Sequence, residues 1–211
     1  MNNIVDNLKW RYAVKRFDAE KTLAEDKIDK VKEAFKLTAT SYGLQPIKLV
    51  VVKNKALRKL LVPFSFEQPQ VLDASHLLVL CRETKIDADY IEAYFKRIQQ
   101  IRGTSNDILH PFKQELVASF DTKTEIEIAQ WATNQAYLIM GNLLTVCAAE
   151  EIDACPMEGF IPQEYDNILG LKDLGLASVL AMPIGYRASD DMFAGFKKVR
   201  KNTVESIIEI D

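Results

Sequence analysis

The sequence predicts an α+β fold in which helices cover both faces of a β-sheet. Three near-continuous apolar runs, at residues 47–53, 77–82 and 178–187, are typical of strands buried on both faces. Two long segments with helical periodicity accompany them, at residues 23–37 and 122–150. The 211 residues, 48% of them hydrophobic, suffice for a substantial core. No linker-like stretch divides them, so we expect one domain over residues 1–211.

The first predicted helix covers residues 23–37. Thr22 and Glu25 have the spacing of a capping box, in which each side chain bonds the backbone N–H of the other residue. Apolar residues then recur at helical intervals: Ile28, Val31 and Phe35. We expect this helix to end near residues 40–43.

The second long helix opens at another capping-box spacing, Thr122 and Glu125, and extends to about Glu150. Its second half is apolar nearly all round, which is typical of a helix at the centre of a protein or at a subunit interface. Residues 87–119 show charged helical patterning around a break at residues 103–107, and residues 205–210 predict a short C-terminal strand.

Charge and cysteine content exclude several classes of protein. The 27 basic and 30 acidic residues give a net charge of -3, so nothing draws the chain to nucleic acid or an anionic membrane. Three cysteines cannot all pair, and the N-terminal segment MNNIVDNLKW lacks the apolar stretch of a signal peptide. We therefore expect free thiols in a reducing cytoplasm. The most apolar run, residues 137–149, is too short for a transmembrane segment.

The residue types leave little support for chemistry by side chains alone. There are two histidines, no HExxH and no CxxC, so we expect neither a metal site nor a nucleophilic Cys/His or Ser/His apparatus. No GxGxxG follows a predicted strand, which argues against a dinucleotide-binding fold. A bound cofactor is the expected source of any reactivity.

Four short segments carry the strongest functional signal: RYAVKRFD at 11–18, TSYGLQP at 40–46, PMEGF at 156–160 and KKVR at 197–200. Cations from both ends of the chain suit a phosphate, and Gly-containing turns let backbone N–H groups approach a planar ring. Their order and spacing resemble the nitroreductase family of FMN-dependent NAD(P)H oxidoreductases, over about residues 8–200.

The resemblance implies a fold, an assembly and an activity. The expected fold is nitroreductase-like, a mixed β-sheet flanked by helices. The expected assembly is a homodimer with FMN at the subunit interface, in which the C-terminal tail of each subunit crosses to the partner's sheet. The expected activity is two-electron reduction of nitroaromatics, quinones or similar conjugated electrophiles, with NADH or NADPH as hydride donor. No side chain is an obligatory acid, because water can deliver the proton.

The resemblance also implies which residues contact the FMN. Lys15 approaches N1 and O2 of the ring, and backbone N–H groups around Glu158 and Gly159 approach N5 and O4, so these three residues tune the flavin. The residues expected to contact the phosphate and ribityl chain are Arg11, Tyr12, Ala13, Lys198 and Arg200. Further cofactor contacts are expected from Ala39, Thr40, Ser41 and Gly43, which line the flavin of the other subunit, and from Gln135, Pro156 and Met157.

The sequence departs from well-known relatives at the pyrimidine end of the flavin. Those relatives present Asn and Lys where this chain has Glu67 and Gln70, and they commonly have Asn where it has Gly43. A carboxylate repels the negative charge that develops at N1 and O2 on reduction, so we expect a lower reduction potential here. The candidates for an aromatic cover over the substrate are Phe64, Phe66, Phe112 and Phe120, with core packing as the alternative for each.

Each segment also has a plainer interpretation. Arg11 and Lys15 are four residues apart and suit a solvated helix face. The basic run at 197–201 also suits a solvated surface or a nucleic-acid patch. Residues 40–45 suit an ordinary helix end, and Tyr137 suits core packing. Two other functions stay open: a flavin-binding homodimer without turnover, and reduction of another acceptor such as an activated alkene, a halogenated aromatic or free flavin.

Overall fold

The computed structural model describes residues 3–210. Its strands are β1 (Ile47–Val52), β2 (His76–Glu83), β3 (Asp153–Ala154) and β4 (Leu176–Gly185). Its helices are α1 (Ile4–Trp10), α2 (Glu25–Leu37), α3 (Lys55–Leu61), α4 (Gln70–Asp73), α5 (Ala88–Arg102), α6 (Asn106–Asp121), α7 (Glu125–Ala149), α8 (Pro162–Ile168) and α9 (Thr203–Ser206). The described residues contain no helix long and apolar enough to cross a membrane.

The sheet has the strand order β1-β2-β4-β3 and is covered on both faces, as predicted. Successive side chains of β2 point to opposite faces, because a strand has a period of two residues. Leu77 and Val79 enter a core beneath α3 and α8, whereas Leu78 and Leu80 enter a second core beneath α7. This double burial explains the near-continuous apolar runs.

Among the described residues, parallel pairing in this sheet is limited to one bridge, so the expected mixed sheet is antiparallel between its named strands. The parallel bridge joins Ala13 to Ala154 of β3. It does not extend into a strand because the N–H groups of Lys15 and Arg16 donate to the Asp191 carboxylate rather than to a neighbouring backbone.

Both long helices exist, but their capping boxes differ from the predictions. The residue before α2 is Ala24, which provides no side-chain cap, so Thr22 forms no box. At α7 the box is formed by Thr124 and Glu127, two residues later than predicted. The sequence contains two overlapping boxes of the same spacing, and Thr122 instead bonds the carbonyl of the preceding helix.

The predicted C-terminal strand at residues 205–210 is wrong for the described chain. Asn202 and Glu205 form a capping box at the N-terminus of the short helix α9. Beyond it, the chain pairs with no strand of the described residues, and Ile208 and Ile210 are 87% and 92% exposed. The apolar side chains of such a tail are removed from water only when another segment or chain lies beside it.

We expect truncation of the buried core to destabilise the fold strongly, and adjacent leucines of α3 supply a matched pair. Leu61 is fully buried whereas Leu60 is 56% exposed. Leu61→Ala should lower the free energy of unfolding by about 2–5 kcal/mol through lost burial and a cavity. Leu60→Ala should change it by less than about 0.5 kcal/mol. Urea unfolding at one fixed protein concentration measures both, and equal losses would contradict the assignment of Leu61 to the core.

Candidate functional site

The two ends of the chain bring cationic side chains together. Arg11 follows the last residue of α1, and the Lys198 ammonium donates a hydrogen bond to its backbone carbonyl. Burial, followed by the charge of Arg200, lowers the pKa of Arg11. Burial also lowers the pKa of Lys198, and repulsion from Arg11, Arg200 and Arg187 lowers it further. An anion bound among these groups would relieve that repulsion.

Arg187 packs against the two residues that flank Arg11. Its guanidinium lies 4.3 Å from the centre of the Trp10 ring and 4.7 Å from that of Tyr12, so it stacks on the two residues that flank Arg11. Its Nε donates to Asp153 Oδ1 at 2.8 Å, and its backbone N–H donates to Oδ2 at 2.7 Å. Because Asp153 belongs to β3, this ion pair attaches the Arg11 segment to the sheet.

Asp191 is a second junction, and sequence reasoning missed it. Its carboxylate is buried and accepts hydrogen bonds from the Tyr12 hydroxyl and from the N–H groups of Lys15, Arg16 and Phe193. Burial by itself would raise the pKa of Asp191, but these bonds outweigh it and lower the pKa. One of two adjacent aspartates before an apolar run gives no signal of such a role.

Lys15 and Gln70 meet at a buried cysteine that sequence reasoning also missed. Lys15 Nζ lies 3.8 Å from Cys155 Sγ. Burial raises the pKa of this thiol, while Lys15 and a hydrogen bond from Gln70 oppose the rise. Gln70 is 3% exposed and donates to Gln68 Oε1 at 2.9 Å, so it is held inside this group. Glu67, by contrast, is exposed and has a φ of 56°.

The PMEGF segment extends the sheet beside this group. Met157 exchanges two backbone hydrogen bonds with Ala181 of β4, at 2.8 and 3.0 Å. The carbonyl of Gly159 accepts from Gln68 Nε2 at 3.0 Å, and a Cβ at Gly159 would lie 3.1 Å from that nitrogen. The segment that includes Pro156, Met157 and Gly159 is therefore held against the loop of residues 66–70.

Tyr137 does not pack in the core, contrary to the plainer interpretation. It is 47% exposed on α7, and its hydroxyl donates to Glu158 Oε1 at 2.9 Å. This hydrogen bond raises the pKa of Tyr137. This exposed pair joins α7 to the PMEGF segment of the candidate site.

The segment at residues 39–43 is held by α7. Ser41 N–H donates to Gln135 Oε1 at 2.8 Å, and Gln135 Nε2 donates to the Trp131 carbonyl at 3.1 Å. Thr40 Oγ1 accepts from the Gln45 N–H at 3.0 Å, whereas Ala39 is exposed. These hydrogen bonds do not join the segment to Lys15 or Cys155 of the same chain.

The four phenylalanines divide between surface and core. Phe66 is 63% exposed and approaches Gly159, and Phe112 is 45% exposed. Phe64 is half-buried against the core beneath α3 and α8. Phe120 is 3% exposed and packs edge-on against the Trp131 ring at 5.1 Å. The prediction that Phe120 covers a substrate is therefore corrected, because its ring is enclosed in the core.

The arrangement fits a ligand with an anionic end and a planar polar ring. The cluster of Arg11, Lys198 and Arg200 offers charge to a phosphate, and the pKa values of Arg11 and Lys198 are already lowered, first by burial. Lys15 offers a single ammonium, and the turn at Gly159 offers close approach of backbone. These are the groups that an FMN phosphate and isoalloxazine ring require.

Comparison with known proteins agrees with this geometry. The structure superimposes on a nitroreductase-fold protein of Exiguobacterium sibiricum in complex with FMN, with a TM-score of 0.86, 16% identity and coverage of 100% and 98% of the two chains. A nitroreductase-like protein of Streptococcus mutans is 26% identical, with a TM-score of 0.83 and full coverage of both chains.

Sequence comparison identifies the family. An oxygen-insensitive NAD(P)H nitroreductase of Salmonella typhimurium is 28% identical over 220 residues, covering 99% of this chain and 100% of the relative. Residues 8–186 match the Nitroreductase family. This chain therefore belongs to the nitroreductase family.

We expect Gly43 to be required for the space it leaves beside Tyr94. Its φ is +73°, and a Cβ there would lie 2.5 Å from the Tyr94 hydroxyl oxygen. Gly103 has a φ of +67° but nothing within 4 Å of a Cβ, so Gly103→Ala isolates the backbone strain. Gly43→Ala should destabilise by about 1–3 kcal/mol more than this control, as overpacking does. Urea unfolding measures the difference.

Adding Tyr94→Phe to Gly43→Ala should recover part of that loss, because it removes the closest atom. Equal stabilities of the Gly43→Ala and Gly103→Ala proteins would show that Tyr94 does not limit the space at Gly43.

Proposed function

We propose that this protein is an FMN-dependent oxidoreductase that reduces nitroaromatics, quinones or similar conjugated electrophiles in a ping-pong cycle. The observation that carries the proposal is the convergence of Arg11, Lys198 and Arg200 from opposite ends of the chain. When bound, FMN supplies hydride acceptance from NADH or NADPH and two-electron transfer to the acceptor. Membership of the nitroreductase family supports this reading.

The phosphate would be held by charge and by backbone shape. The Arg200 and Arg11 guanidinium groups offer planar forks to phosphate oxygens, whereas Lys198 offers a point charge. Tyr12 and Ala13 would contact the ribityl chain, because the Arg187 and β3 contacts hold both residues beside Arg11. Arg11 is half-buried, which strengthens its interaction with a phosphate by keeping water from the guanidinium.

The ring would lie against Lys15 and the PMEGF segment. Lys15, held at Cys155, would present positive charge to the end of the ring that becomes negative on reduction. Backbone hydrogen bonds to β4 and from Gln68 hold Glu158 and Gly159 in place, so that their N–H groups would approach the opposite edge without reorganisation. Phe66 and Phe112 are exposed candidates for an aromatic cover, and Phe64 is a half-buried one.

The working unit in this proposal is a homodimer with FMN at the subunit interface. Residues 39–43 of one subunit, with Gln135 behind them, would line the flavin of the other. Strand β1 is an edge of the sheet, and the tail beyond Ser206 exposes Ile208 and Ile210. Addition of that tail to the partner's edge strand would bury both surfaces. Cys81, Cys147 and Cys155 are free thiols, which suits a cytoplasmic location.

The test of the proposed function is the visible spectrum of FMN-loaded protein before and after anaerobic addition of NADH and, separately, NADPH. We expect rapid loss of the oxidised-flavin band and its return on addition of a nitroaromatic or quinone. A tightly bound flavin that neither donor bleaches would favour a flavin-sequestering dimer. A protein that binds no FMN would overturn the proposal, and a panel of acceptors separates nitroaromatics from alkenes, halogenated aromatics and free flavin.

We expect Glu67→Asn combined with Gln70→Lys to raise the midpoint potential of the bound flavin. Gln70 lies inside the group formed with Cys155 and Lys15, so an ammonium there adds positive charge near the ring. For a two-electron couple, about 1.4 kcal/mol corresponds to about 30 mV. Anaerobic redox titration measures the shift. Glu67→Asn alone is the control for the exposed carboxylate, and an unchanged midpoint in the double variant would contradict the hypothesis.

A further inference from the structure

Asp191 connects the two segments that carry the cation cluster. It is 4% exposed, and the hydrogen bonds of its carboxylate lead either to residues 12–16 or to residue 193. Oδ2 accepts from the Tyr12 hydroxyl at 3.0 Å, from Lys15 N–H at 2.9 Å and from Arg16 N–H at 3.2 Å. Oδ1 accepts from Phe193 N–H at 3.1 Å, which starts the turn Met192–Gly195.

Each oxygen of this carboxylate accepts hydrogen bonds from a segment next to a cation of the cluster. Tyr12 is the neighbour of Arg11, and its ring is also held on the Arg187 guanidinium at 4.7 Å. On the other side, the turn after Asp191 directs the chain back so that Lys198 reaches the Arg11 carbonyl. The tail of residues 196–202 contains no buried side chain, so few contacts other than the turn determine its course.

We propose that Asp191 is a positioning residue for phosphate recognition, which assembles Arg11, Lys198 and Arg200 into one anion site. The inference rests on the proposed function, because the phosphate is that of FMN. Asp191 touches neither the flavin nor the substrate in this account. It acts by fixing the two backbone segments from which the cations project.

Removal of the Asp191 charge tests the proposal, because a charge effect and a positioning effect change the anion affinity in opposite directions. A carboxylate close to a phosphate site repels the phosphate, so its removal strengthens anion binding if charge alone matters. If Asp191 positions the cations, its removal weakens anion binding. The two effects are opposite, and a measured affinity distinguishes them.

The adjacent Asp190 is the matched control. Its side chain is 60% exposed and forms an ion pair with Arg16 Nη1 at 2.8 Å. Asp190→Asn removes the same charge one residue away but leaves the hydrogen bonds of Asp191 intact. It should leave FMN affinity unchanged or slightly increased, since exposed ion pairs contribute little.

The experiment compares FMN with riboflavin, which lacks the phosphate, by quenching of flavin fluorescence on binding to the full-length protein. Asp191→Asn should weaken FMN binding about tenfold, which corresponds to about 1.4 kcal/mol. It should weaken riboflavin binding by a smaller factor, because riboflavin lacks the phosphate that the three cations bind and depends on Asp191 only through the contacts of Tyr12 and Lys15. Amide hydrogen exchange without flavin should rise at residues 14–16 and 193–196, whose N–H groups are hydrogen-bonded, which reports the loss of positioning without any cofactor.

A second variant keeps the test valid if Asp191→Asn does not fold. Tyr12→Phe removes one donor and keeps the ring on Arg187, so it should weaken FMN binding in the same direction by a smaller factor. Equal losses for FMN and riboflavin in the Asp191→Asn protein, or unchanged or tighter FMN binding in either variant, would overturn the positioning role. Unmodified protein that binds neither ligand would overturn the proposed function and this inference with it, an outcome distinct from a normal FMN affinity that Asp191 does not influence.

Discussion

Burial of the central strands on both faces is the constraint on which the rest of the structure depends. Strand β2 sends Leu77 and Val79 to one core and Leu78 and Leu80 to the other, so neither face of the sheet is available for polar chemistry. Polar groups buried there would lack hydrogen-bond partners at a cost of about 1–3 kcal/mol each. The segment at residues 40–46 leads into β1 at one edge of the sheet, whereas the segments at residues 11–18 and 156–160 lie at the β3 edge.

That edge explains how distant segments meet. Ala13 bridges to Ala154 of β3, Met157 bonds to β4, and the residues after β4 return to the Arg11 segment through Asp191. The backbone N–H groups of residues 15 and 16 are satisfied by a carboxylate instead of a strand. The sheet therefore ends where the candidate site begins.

Electrostatics in the candidate site is arranged for a negative ligand. Arg187 is paired with Asp153, whereas burial and the charge of Arg200 lower the pKa of Arg11, and burial and the charges of Arg11 and Arg200 lower the pKa of Lys198. Such a like-charge cluster lowers the stability of the folded protein. An anion that binds it removes the repulsion and thereby stabilises the folded state. The acidic residues Asp153 and Asp191 hold the segments that carry the cations. Asp153 pairs with Arg187, and Asp191 accepts from the backbone of residues 15 and 16.

The sequence by itself determined the elements with strong periodicity. The apolar runs predicted β1, β2 and β4 to within a few residues, and the four short segments located most of the candidate site, because both signals are local. It misplaced both capping boxes, since identical spacings occur close together and only packing selects between them. It also predicted a strand at residues 205–210, where an isolated chain provides no neighbour.

Only the tertiary structure decided which side chains share a site. The meeting of Lys15, Gln70 and Cys155, the contact of Tyr137 with Glu158 and the three hydrogen bonds from residues 12–16 to Asp191 all join residues far apart in sequence. No pattern of one chain encodes such contacts, because they depend on how the sheet register and the loops place distant backbone segments. Hydrogen bonds of this kind form only after the hydrophobic faces have determined that placement.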